Sequence, residues 1–149
     1  MSRVQDWPIK LLDTVRDLSS EPFAWGQHDC FLMTAALVES VTGDDIAVPY
    51  RGRYDSAKSA LQVLKDDGLD DLPAVVALHF TEIPPLTAQR GDIVLVEHEG
   101  LWSQSLAVCL GQLAVSTGPA GRAVPATRSE AHRTCRSFMS RTILGRLIF

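Results

Sequence analysis

The chain has 149 residues, 46% of them hydrophobic and 21% charged, which fits one folded domain, residues 1–149, with a core of its own. No apolar stretch is long enough to cross a bilayer, and three cysteines at wide spacings, Cys30, Cys109 and Cys135, match no zinc pattern. Net charge is −4, divided as −9 over residues 1–121 and +5 over residues 122–149, where six arginines meet Glu130 alone. Those arginines are not interleaved with stacking aromatics and the remainder is acidic, which argues against nucleic acid as a partner.

The first segment places Ile9, Leu12 and Val15 at helical spacing, with Leu11 and Leu18 nearby. Pro8 suits a first turn, and Ser19, Ser20 and Pro22 end the helix. After Phe23, Trp25 and Gly26, Asp29 is positioned as an N-cap, and the run from Cys30 is apolar on several faces, as in a buried helix. Thr42-Gly43 closes that helix. A third helix is predicted over 56–67, with Ala57, Ala60, Leu61 and Leu64 inward and Gly68 at its end. Val75–Phe80 is apolar but too short to assign, and Pro84-Pro85 break the chain. Gly91-Asp92 introduces the strand IVLVE; Leu106–Leu110 and Leu113–Ser116 read as two more, and Thr142–Phe149 as a last strand or short helix. Helices followed by a meander of short strands predict an α+β fold, with a central helix packed on an antiparallel sheet.

Cys30 opens the buried helix. Free N–H groups at a helix start favour a thiolate, so a nucleophile is one reading; a small buried hydrophobe is the plainer one. Four motifs around it keep their order: W-x-x-H-D-C (Trp25–Cys30), T-G-x-D (Thr42–Asp45), R-G-x-Y (Arg51–Tyr54) and G-D-I-V (Gly91–Val94). Together they resemble the NlpC-type, papain-like cell-wall peptidase superfamily, and more closely its phage-encoded members described only as domains of unknown function. The resemblance covers residues 25–111 and fades after Gly118.

It implies a papain-like core: a cysteine on the helix, a histidine base on the facing sheet, and a third polar residue that orients the base. In NlpC-type enzymes the strand after G-D-[IV]-V reads roughly S-H-V-G-I-Y-x-G. Here that stretch is Gln104–Gly111, and Ser105 stands where the histidine is expected. The third position falls at Ser116. Serine cannot take up a proton near neutral pH as imidazole does, so neither supplies a base. His28, two residues before Cys30, is the candidate substitute base, although a loop histidine donating to backbone is the plainer account. His79 reads as a core residue, His98 as a hairpin tip, and His132 falls in the arginine-rich end.

The resemblance implies a structural phage tail-tip or baseplate component with a degenerate peptidase site. Its partners would be the tail hub and the central spike or fibre protein. The alternative is an active cysteine peptidase that cuts peptidoglycan peptides during DNA delivery; an assembly factor absent from the finished virion is a third option. No cofactor and no metal are expected. The paired acids at 44–45, 66–67 and 70–71 do not fit a calcium loop. No apolar run follows the start MSRVQDWPIK, so no signal peptide is read. The expected place is the virion, after synthesis in the host cytoplasm. The arginines of 122–149 are expected to meet an acidic surface, most simply the body of the same domain.

Overall fold

The structure, a computed structural model, describes residues 1–84, 87–97, 101–119, 126–127 and 135–140. Four helices come first: α1 (Trp7–Leu18), α2 (Cys30–Thr42), α3 (Ala57–Asp66) and α4 (Leu72–Ala77). Six strands follow: β1 (Phe80–Ile83), β2 (Ile93–Glu97), β3 (Gln104–Cys109), β4 (Leu113–Val115), β5 (Ala126–Thr127) and β6 (Cys135–Ser140). They form one antiparallel sheet in the order β1-β6-β2-β3-β4-β5. The fold is α+β.

The local signals around α2 act as their chemistry dictates. The Asp29 carboxylate accepts from the Leu32 N–H, and Gly43 takes the left-handed conformation at the far end, φ 83°. Between these caps α2 is buried on two sides. Met33, Leu37 and Val41 pack with Leu11 of α1 and with Val108 and Val115 of the sheet. Phe31, Leu32, Ala35 and Val38 pack with Ile46, Tyr50, Val63, Val76, Ile93 and Leu106. α2 is therefore the central helix, laid on the sheet face that carries Ile93, Leu95, Leu106 and Val108. Val94, Ala107, Cys109 and Ala114 form a separate cluster, as strand alternation requires of the opposite face.

Some expectations need correction. The inward row of α1 is Trp7, Leu11, Val15 and Leu18, whereas Ile9 and Leu12 are exposed. The row that can reach Met33 and Leu37 is the one that is buried. On α3, Val63 joins Ala60 and Leu64 in the core, while Ala57 and Leu61 are only partly buried. Val75–Phe80 divides between the end of α4, a helix whose start is capped by Asp71, and the start of β1. The strands are not a simple meander, because β6 returns from the arginine-rich region to lie between β1 and β2. It pairs Phe80 with Ser140 on one side and Ile93 with Phe138 on the other. Residues 142–149, His98 and His132 lie outside the described residues, as do all the arginines of 122–149 except Arg136, on β6. The ion pairs seen among the described residues fall within the acidic part of the chain: Arg3–Asp92, Arg16 with Asp13 and Asp17, Arg51–Asp45 and Arg53–Asp67.

Candidate functional site

A tight turn delivers the chain to α2. Ala24 and His28 exchange both backbone hydrogen bonds, at 2.9 and 2.8 Å, around Gly26. Gly26 has φ +73°, and a Cβ there would stand 2.0 Å from the Tyr54 carbonyl oxygen. Only glycine allows both the left-handed backbone and that approach.

Asp29 lies at the centre of the site. It is 1% exposed, and its carboxylate accepts three hydrogen bonds: from Leu32 N–H at 3.0 Å, from Gly26 N–H at 2.9 Å and from the Tyr54 hydroxyl at 2.7 Å. Burial, and then the charge of Asp29, push the Tyr54 phenol far above its ordinary range, so it remains a donor.

Three of the four motifs are thus joined to one another by structural bonds, and the fourth is tied to the N-terminal arm. The tyrosine of R-G-x-Y bonds to the aspartate of H-D-C. Its arginine, Arg51, bonds through Nε and Nη2 to Asp45 of T-G-x-D at 3.1 and 3.2 Å. Asp92 of G-D-I-V, 5% exposed, accepts from Gln89 N–H at 2.7 Å and from Arg3 at 3.2 Å. Arg3 also donates to the Arg90 carbonyl and lies 4.2 Å from the centre of the Trp7 ring.

Cys30 begins α2 and is partly buried against the core cluster that contains Leu106. Its thiol is pushed up to about 11, first by burial; the Asp29 charge acts in the same direction, and the backbone N–H groups of Leu106, Phe31 and Cys30 itself only partly oppose them. Here desolvation outweighs the helix end. At neutral pH a thiol of that kind is ionised to the extent of roughly one part in 10⁴.

Among the described residues, no histidine is hydrogen-bonded to the Cys30 thiol. The backbone of His28 is bonded to Ala24, and its ring has no hydrogen-bond partner there. His79 packs edge-on against Phe80 at 6.2 Å, and burial lowers its pKa. Ser105 lies on β3 opposite Val96, one residue before Leu106, and strand alternation puts it on the other pleat face, with Ala107 and Cys109. The Ser116 hydroxyl donates to the Leu106 carbonyl at 2.6 Å. Leu106 therefore faces Cys30 through its N–H and Ser116 through its oxygen. Cys109 is buried, with its sulfur 3.4 Å from the Gly111 nitrogen.

Trp25 and Trp102 are half-buried and stack at 6.2 Å, with Phe23 edge-on to Trp25 at 5.2 Å. Trp102 Nε1 donates to the Ala57 carbonyl. No group of three or more potential metal ligands occurs among the described residues, and no described helix is long and apolar enough to cross a membrane. The Tyr54–Asp29 bond was missed in the sequence; only the joint presence of R-G-x-Y and H-D-C signalled it.

A family model described as a domain of unknown function, DUF6950, matches residues 2–136. No curated protein matches the chain.

Proposed function

The chain belongs to the DUF6950 family, and on that premise we propose that it is a structural component of a phage tail tip, built on an NlpC-like, papain-like core whose peptidase site is silent. What supports the silent site most is the setting of Cys30: a helix-borne thiol packed on the core cluster that contains Leu106, with no histidine hydrogen-bonded to it among the described residues, where burial raises its pKa. Asp29 is committed to three structural hydrogen bonds, and Ser116 to the Leu106 carbonyl. Amide cleavage also requires a proton for the leaving amine, a task serine at 105 or 116 does not perform. Losing such acid–base help removes roughly 10²–10⁴ in rate. The motif resemblance supplies the tail-tip setting, with the hub and the central spike or fibre protein as partners and the virion as the location.

The test is a zymogram and a soluble muropeptide assay on wild type, Cys30→Ala and His28→Ala, beside incorporation of each into tails. No cleavage above background, with normal incorporation of Cys30→Ala, is the expected outcome. Robust cleavage by wild type that disappears in Cys30→Ala would overturn the adaptor reading, and loss in His28→Ala as well would identify the base.

A further inference from the structure

The segment between Tyr50 and Ser56 is held in two different ways. Its ends are anchored: Tyr50 is buried edge-on against Phe31 at 5.2 Å, and Ser56 caps α3. Between them Arg51, Gly52, Arg53 and Asp55 are exposed. Their side chains form surface ion pairs, Arg51 with Asp45 and Arg53 with Asp67, of the kind that solvent screens. Arg53 also donates to the Pro49 carbonyl, the Asp55 N–H donates to Ser59 Oγ, which donates to the Asp55 carboxylate, and the Arg51 and Arg53 N–H groups donate to the Ala47 and Tyr50 carbonyls. Tyr54 alone turns inward. Its hydroxyl meets the buried Asp29 carboxylate at 2.7 Å, and its carbonyl lies against Gly26. Its ring packs on the same core cluster as Cys30.

We propose that Arg51–Asp55 is a strap across the head of α2, pinned by the Tyr54 hydroxyl on Asp29, and that lifting this strap is the local opening that makes Cys30 reachable. A hydrogen bond to a buried charge is the strong bond of the set, and the exposed ion pairs are the weak ones. Releasing the pin frees five residues that bury little apolar surface apart from one ring, while Tyr50 and Ser56 stay in place. Such an opening is small compared with global unfolding. Cys30 and the Tyr54 ring pack on one cluster, burial is the chief cause of the raised thiol, and the Cys30 charge helps to raise Tyr54, all of which fits a cover beside the sulfur. The inference concerns the strap alone and stands whether or not the protein belongs to a tail.

The experiment is site-resolved alkylation of the full chain by iodoacetamide at mildly alkaline pH, followed by mass spectrometry over a series of sub-denaturing urea concentrations. Cys109, buried in β3, reports global unfolding in the same sample. The strap predicts that Cys30 labels at a rate nearly flat in urea while Cys109 rises steeply, because denaturant sensitivity follows the surface exposed. Tyr54→Phe, which keeps the ring and removes the pin, should speed Cys30 labelling by about tenfold or more, the effect of losing one hydrogen bond to a charged group. Parallel urea slopes for Cys30 and Cys109 would overturn the strap. So would an unchanged Cys30 rate in folded Tyr54→Phe. If that variant does not fold, the wild-type slopes decide.

Discussion

At the head of α2 the buried carboxylate of Asp29 is held by three neutral donors, whereas at the head of β2 that of Asp92 is held by one backbone N–H and a guanidinium. Both ends organise a motif, but they leave different electrostatics behind. At β2 the charge is balanced by Arg3, which ties the N-terminal arm to the sheet; burial still raises the Asp92 carboxyl and lowers the Arg3 guanidinium, so the pair does not recover its full desolvation cost. At α2 the negative charge stays beside Cys30 and makes a thiolate less favourable. The aspartate of the motif around Cys30 thus has a structural task of its own, whatever the thiol does.

The largest effect should separate the two aspartates. Asp92→Ala takes the carboxylate counter-charge from the half-buried Arg3 guanidinium and the acceptor from the Gln89 N–H, and should cost about 3–5 kcal/mol. Asp29→Ala removes a helix cap and leaves the Tyr54 hydroxyl and Gly26 N–H without their acceptor, and should cost about 2–3 kcal/mol. Urea denaturation of both variants checks the order, and equal losses would erase the distinction between a charged and a neutral donor set.

A smaller effect appears with pH. The Cys30 thiol rises from an ordinary value near 9 to about 11 in the folded chain. Because the folded pKa is the higher one, this contribution is whole below about pH 9 and is lost as pH rises through about 11, a decline of about 2–3 kcal/mol at most. Wild type should lose that much more stability than Cys30→Ala over the same interval. Identical alkaline profiles would show that the thiol is not held in its neutral form.

Local chemistry was legible in the sequence. Asp29 and Gly43 cap α2 because caps depend on neighbouring backbone, and IVLVE forms β2 because β-branched residues follow a turn. What depended on distant partners was not. α1 carries apolar residues at both 9 and 12 and at 7, 11, 15 and 18, and only the position of α2 chooses between the rows. β6 was hidden in an arginine-rich stretch with no alternation to mark it, yet it lies inside the sheet between β1 and β2. The Tyr54–Asp29 bond spans 25 residues of sequence, and the state of Cys30 reflects burial, which the helix-start argument had no means to weigh.

The central claim is that Cys30 is a protonated, unactivated thiol, and its alkylation rate against pH tests this most directly. The account predicts a Cys30 rate, resolved from Cys109 and Cys135 by mass spectrometry, that climbs about tenfold per pH unit from about pH 7 to about pH 10 without levelling. A plateau reached at or below about pH 7, the mark of a thiolate already formed, would contradict it.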